Sequence, residues 1–153
     1  MNKIYVSDLI CTNDSYEEII NFFKKNRIKN IEFFIEPYDK EHTEKLDKIL
    51  KNYSLESVSF HGPYRYFKLT VSEEKWKEAL EDFEKAIDIA QKYSGEFLVL
   101  HTNEVLEEKI DKNTIERRIK EIVKKAEEKS VKIAVENVGI SKNMLYNQEE
   151  YIE

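Results

Sequence analysis

A single cysteine, two prolines and three glycines are spread through 153 residues, and each shortage excludes something. Cys11 has no partner for an internal disulfide, so a reducing cytoplasm is the expected compartment. Three glycines leave no room for a glycine-rich phosphate loop. So little glycine and proline also rules out a flexible or proline-rich linker. One domain spanning residues 1–153 is therefore expected, long enough to bury its own core. No apolar run approaches the ~20 residues of a membrane span. Met1 to Tyr5 lead straight into strand-like residues, without the pattern of a signal peptide. Positive charge is also short: 25 Lys and Arg face 31 Asp and Glu, a net charge of −6. Bulk electrostatics thus draws the chain to neither nucleic acid nor anionic lipid.

What is present is a rhythm of short apolar runs that end in polar tips. The most informative run is Val131-Lys132-Ile133-Ala134-Val135-Glu136-Asn137. Its residues have high strand propensity and fit no helical period, so it reads as a buried strand ending in a carboxylate and an amide. Val58-Ser59-Phe60-His61 and Phe97-Leu98-Val99-Leu100-His101 end the same way. Three strands thus finish in His, His and Glu, all of them metal-ligand types.

In chain order, strand and helix alternate. Ile4–Asp8 is the first strand; Ser15 and Glu18 then make a capping box for a helix whose stripe is Tyr16, Ile19, Ile20 and Phe23. Asn30–Glu36 is the second strand, stopped by Pro37, and a helix follows from about Glu41 to Asn52. The third strand, Ser57–His61, runs into the Gly62-Pro63 turn. Ser72 caps a long helix carrying Trp76, Leu80, Phe83, Ile87 and Ala90, and Gly95 occupies the place of a left-handed C-cap. Strand four is Phe97–Thr102. Asn113 and Glu116 look like a second capping box, before a helix with Ile115, Ile119, Ile122, Val123 and Ala126. Strand five follows, and Asn147 with Glu150 resembles a fifth helix start. Strict alternation predicts an α/β fold: a parallel sheet with right-handed helical crossovers.

The polar tips favour a barrel over a doubly wound sheet, because a (β/α)8 barrel gathers its site from the C-terminal ends of several strands. Pleat parity puts Glu136 on one face with Ala134, His101 with Val99, His61 with Ser59, and Glu36 with Phe34 and Glu32. Imidazoles and a carboxylate converging on one point suit zinc, manganese or a similar divalent ion.

The segments SVSFHGPY (57–64), FLVLHTN (97–103) and IAVENVG (133–139), with NIEFFIEP (30–37) before them, resemble the xylose isomerase-like TIM-barrel superfamily. That superfamily holds sugar-phosphate isomerases and epimerases as well as endonuclease IV-type DNA-repair enzymes of AP endonuclease family 2. The resemblance runs along the chain and implies a divalent-metal site at the barrel mouth. By it, Glu136 matches a metal-binding carboxylate of strand five. His61 and His101 match histidines that bind metal in the endonuclease branch and more often touch substrate in the sugar branch. Glu32 matches the Glu of an Ile-Glu motif on strand two. Family members carry eight strands, so the expected architecture is a partial (β/α)8 barrel of five strands. Such an arc belongs to a longer protein or closes with a partner. The further ligands that the family draws from strands six to eight are not in the sequence, which leaves the expected metal site incomplete.

The expected assignment is Glu136 and Glu32 as catalytic carboxylates, His61, His101 and Tyr64 against substrate, and Glu136, His61 and His101 around the metal. The plainer reading makes the tips solvated strand ends and Tyr64 a loop tyrosine that packs. Asn137 is expected to bond loop backbone, His42 to lie on the surface, and Cys11 to be buried and inert. Three functions are weighed. The leading one is a metal-dependent isomerase or epimerase acting on a small sugar or sugar phosphate. Against it stand an endonuclease IV-like phosphodiesterase, disfavoured by the acidic balance and the lack of a basic cluster beside the tips, and a non-catalytic half-barrel. A five-stranded arc also leaves edge strands and a concave face lined near Val6, Phe34, Val99 and Ala134, for which a homodimer is the expected cover.

Overall fold

The computed structural model describes residues 3–11, 14–62, 68–101 and 111–136. Within them the chain runs β1 (Val6–Ser7), α1 (Tyr16–Asn26), β2 (Asn30–Phe34), α2 (Lys40–Asn52), β3 (Ser57–His61), α3 (Glu73–Lys92), β4 (Leu98–His101), α4 (Lys112–Glu128) and β5 (Ile133–Glu136). Short 3-10 turns follow β1 at Asp8–Cys11 and precede α3 at Lys68–Thr70. All pairings are parallel and the order is β1-β2-β3-β4-β5. That order is the arc of a barrel; a doubly wound sheet would reverse about its first strand. Among the described residues, no helix is long and apolar enough to cross a membrane.

The helices begin where local chemistry tells them to, with two revisions. Ser15 and Glu18 form the full capping box of α1. The cap of α4 is Asp111, whose carboxylate accepts from Thr114 N–H, rather than the expected Asn113. A carboxylate two residues earlier satisfies the same orphan donors, and Asn113 becomes an ordinary first-turn residue. At the end of α3 the left-handed residue is Ser94, at φ 53°, and not Gly95. Gly95 is needed for another reason: a Cβ there would lie 2.6 Å from Cδ2 of Phe60. The glycine lets the chain pass against a buried aromatic ring. The fifth helix expected from Asn147 lies outside the described residues.

The core sits between the sheet and the helices. Ile31, Phe33, Phe60, Leu98 and Leu100 point outward from the arc and meet Phe23, Ile49, Ala86, Ile87, Ile115 and Ile122, all essentially without solvent exposure. Parallel strands covered on that face explain why these runs are rich in large apolar residues. Arg118 is buried in the same layer. Its guanidinium donates to the carbonyls of Leu69 and Val71 and to Glu73, and lies 4.7 Å from the Trp76 ring.

The opposite face is the concave one, and the register lays it out in rows. Ser7, Glu32 and Ser59 align; above them come Phe34, His61, Val99 and Ala134; above these, His101 and Glu136. Val6 pairs with Ile31, so it belongs to the helix side and not to the concave lining expected of it. The one-residue shift follows from β1 being only two residues long, with its pleat set by β2. At the foot of the arc, the Tyr5 hydroxyl donates to Glu96 and contacts Ser57 Oγ.

Candidate functional site

His61 ends β3, His101 ends β4 and Glu136 ends β5, and parallel pairing of the three strands brings the tips together. His61 Nε2 is 2.7 Å from His101 Nε2, which is 3.1 Å from Oε2 of Glu136. His61 Nε2 and the same Oε2 are 3.6 Å apart. The two imidazole side chains are almost wholly covered, at 5% and 8% exposure, whereas the carboxylate is 53% exposed. The cluster therefore opens on the side of β5.

Protonation can be assigned from the contacts. His61 Nδ1 is 3.3 Å from the Gly62 carbonyl, which only accepts, so Nδ1 carries the proton and Nε2 offers a lone pair. His101 Nε2 then supplies the one proton shared between His61 Nε2 and Glu136. Burial, and after it the neighbouring His101, hold the His61 pKa below its ordinary value, so this ring stays neutral. One proton thus lies among three atoms that all bind cations when deprotonated.

The geometry fits a divalent ion. Ligand distances of about 2.0–2.1 Å in a tetrahedral site place neighbouring donor atoms about 3.3–3.4 Å apart. The three separations here, 2.7, 3.1 and 3.6 Å, bracket that value. Two imidazoles and a carboxylate are a donor set that zinc and similar divalent ions accept.

Glu32 lies on the concave face one row below His61. Burial first, then the negative charges of Glu136 and Asp8, push its carboxyl pKa above the ordinary value, while His101 pulls the other way. It does not belong to the three-atom cluster but feels its charge. Glu36, beyond the end of β2, is half-buried. Tyr64 and Asn137 lie outside the described residues. Cys11 is buried, and burial raises its thiol pKa, in keeping with an inert thiol.

Two neighbours of the site were not apparent in the sequence. His42, expected on the surface, is half-buried with Nε2 2.7 Å from the Phe34 carbonyl. A histidine in the first turn of a polar helix carries no local sign of this, because its partner belongs to another element. Asp8, at the end of β1, accepts from Phe34 N–H at 3.1 Å, and burial lifts its pKa to about 6. Its place at the end of the first strand is the one signal in the sequence that could have pointed to it.

A family sequence model described as "Xylose isomerase-like TIM barrel" matches residues 18–153. Among solved structures, the chain is similar to a D-tagatose 3-epimerase-like protein, with a TM-score of 0.71 and 20% identity over 94% of this chain and 55% of that one. It is also similar to a candidate sugar phosphate isomerase/epimerase from Anabaena variabilis, with a TM-score of 0.69 and 19% identity over 99% of this chain and 59% of the other. A xylose isomerase domain protein from Planctomyces limnophilus superimposes with a TM-score of 0.60 and 11% identity, over 82% of this chain and 51% of that one. The chain spans little more than half the length of these structures. At such identities they show a shared fold. No curated protein matches the sequence significantly.

Proposed function

The chain belongs to the xylose isomerase-like TIM-barrel family, and from that premise we propose that it supplies the first half of a metal-dependent sugar or sugar-phosphate isomerase or epimerase site. The observation that supports this reading is the meeting of His61, His101 and Glu136 on the concave face, with Glu32 beside them. His61, His101 and Glu136 would hold a zinc or manganese ion. Such an ion supplies polarisation of a substrate carbonyl and hydroxyl.

The remaining work belongs to the side chains. His61, kept neutral by burial, presents Nε2 as an acceptor to whatever enters. His101 gives up its Nε2 proton when a cation or a substrate hydroxyl takes that place. Burial and the charge of Glu136 raise the Glu32 pKa, the direction expected of a carboxylate that takes up and returns a proton. Glu32 is the chain's candidate for shuttling the proton at the carbon next to a carbonyl. Phe34 and Val99 form the apolar wall that keeps water from the His61 side.

The decisive experiment is a metal titration of the purified protein, followed by a panel of ketoses and their phosphates incubated in heavy water. Deuterium entering beside the carbonyl, lost in Glu32→Gln and in Glu136→Gln, supports the reading. Tight metal binding with cleavage of an abasic duplex, and no exchange into sugars, would transfer the assignment to phosphodiester hydrolysis. Absence of metal binding would leave a non-catalytic half-barrel.

The same arc supports a second copy as partner. Among the described residues β1 and β5 each pair on one side only, and Ile4 and Val135 beside them are exposed. We propose a homodimer that covers these edges, since unpaired strand edges recruit other chains. Light scattering that gives a stable monomer at micromolar concentration counts against it.

A further inference from the structure

We propose that Asp8 and His42 are positioning residues for the donor cluster: they bond the N–H and the carbonyl of Phe34 and so hold its ring stacked on His61. The proposal rests on reading His61 as a donor of the site, and adds two residues that touch neither metal nor substrate.

Phe34 closes β2, and its ring lies on the His61 imidazole at 4.3 Å between centroids and 13° between planes. Other described neighbours meet His61 in the site, and Glu136 Oε2 lies 3.6 Å from its Nε2. His101 meets it edge-on at 85°, and Gly62 accepts from Nδ1. The face-on contact with Phe34 is thus the one that sets the plane in which Nε2 points. Stacking also shields one side of the imidazole from water.

On the β3 side the sheet holds Phe34 in register with His61, and Ile35 N–H donates to the His61 carbonyl at 3.0 Å; the grip acts on the other edge, toward β1. Pairing of β1 with β2 ends at Ser7 and Glu32, short of Phe34. There the Asp8 carboxylate takes over, accepting from Phe34 N–H at 3.1 Å. On the same edge His42, from the first turn of α2, places Nε2 2.7 Å from the Phe34 carbonyl. A carbonyl only accepts, so His42 Nε2 is protonated and donates. Behind this peptide lies a cavity of about 90 Å³ whose lining includes Asp8, Leu9, Cys11, Phe33, Phe34 and His42. On that side the two hydrogen bonds hold the Phe34 backbone where β1 no longer pairs with it. Asp8 is held there although burial disfavours its charge, lifting its pKa to about 6. A carboxylate kept against such a cost marks a position used for more than stability.

The test uses the metal-free protein and a readout independent of turnover. In the wild type, the ring current of Phe34 displaces the His61 ring protons upfield in the NMR spectrum. Phe34→Leu abolishes that displacement and calibrates the scale. Asp8→Ala and His42→Ala are expected to move the His61 protons part of the way to the Phe34→Leu position. Asp8→Asn retains the acceptor and His42→Gln retains the donor, so both stay at the wild-type position. Zinc affinity, measured by competition with a chromophoric chelator, falls about tenfold in the alanine variants and recovers in the conservative pair. Alanine variants that leave the His61 shifts in place overturn the proposal. So do Asn and Gln variants that shift as far as the alanines. Should Asp8→Ala fail to fold, His42→Ala, at a half-exposed helix start, carries the same test. If the wild type binds no zinc, the metal reading fails by itself, and the ring shifts still decide whether the clamp exists.

Discussion

Replacing Asp8 by Asn removes a charge from a site that disfavours it while keeping an oxygen for Phe34 N–H. Burial lifts the Asp8 pKa from 3.8 to about 6. The folded chain therefore holds the proton longer than the unfolded one, and stability falls as pH rises from about 4 to about 6. A shift of about 2 units at about 1.4 kcal/mol each places the loss near 3 kcal/mol, a ceiling because Asp8 is only partly buried. Asn carries no such cost. Asp8→Asn is expected to match the wild type in stability near pH 4, gain on it through pH 6, and sit up to about 3 kcal/mol higher by pH 8. Urea unfolding of both proteins at intervals between these limits measures the difference directly. His61 titrates in both chains and largely cancels. Glu32, whose pKa Asp8 helps raise, adds a small change of the same sign. A stability difference that stays flat across the range would refute the burial argument. A difference that falls with pH would mean that Asp8 is stabilised as a carboxylate, by His42 and Lys45, more than burial penalises it.

Three further outcomes are expected. Glu136→Gln keeps the shape of the cluster but loses its charge, and should weaken zinc binding by at least about tenfold in a competition titration. Gly95→Ala drives a methyl into the Phe60 ring and should cost about 1–3 kcal/mol, read from the thermal midpoint. Arg118→Ala leaves the Leu69 and Val71 carbonyls without their buried donor and should cost roughly 2–4 kcal/mol by denaturant unfolding; Arg118→Lys recovers little, since an ammonium cannot reach both and stack on Trp76.

Much of this architecture is legible in the chain itself, because strand and helix periods report burial directly. Ile31, Phe33 and Phe60 announce a covered sheet face, and the stripe of α1 announces its partner. Ser15 and Glu18 mark their helix start because both members of the motif are local. Legibility ends where the partner is remote. Asp111 outcompetes Asn113 as a cap by a two-residue shift that local chemistry does not decide. Gly95 looked like a C-cap and is instead a clearance for Phe60, which is far away in sequence. The concave row could be counted from the pleat on β2 to β5, but not on β1, where two paired residues set the phase. His42 and Asp8 matter through Phe34, and nothing in the residues around either one names that contact.

The charge balance of the cluster bears on the kind of site proposed for it. Two neutral imidazoles and one carboxylate around a divalent ion leave a net positive charge of one, and a half-exposed carboxylate leaves the ion accessible on the β5 side. A structural metal would be neutralised and enclosed by its ligands; this one would seek another oxygen donor. That donor is either a side chain from beyond the described arc or a substrate. Glu32 bears on the choice. Its carboxyl is already raised by burial and by Glu136, so a cation beside Glu136 would lower its pKa and a departing cation would raise it again. Under the proposed isomerase or epimerase reading, a group whose basicity tracks the occupancy of the neighbouring site serves where a hydroxyl and a carbonyl are bound together and a proton is exchanged between them.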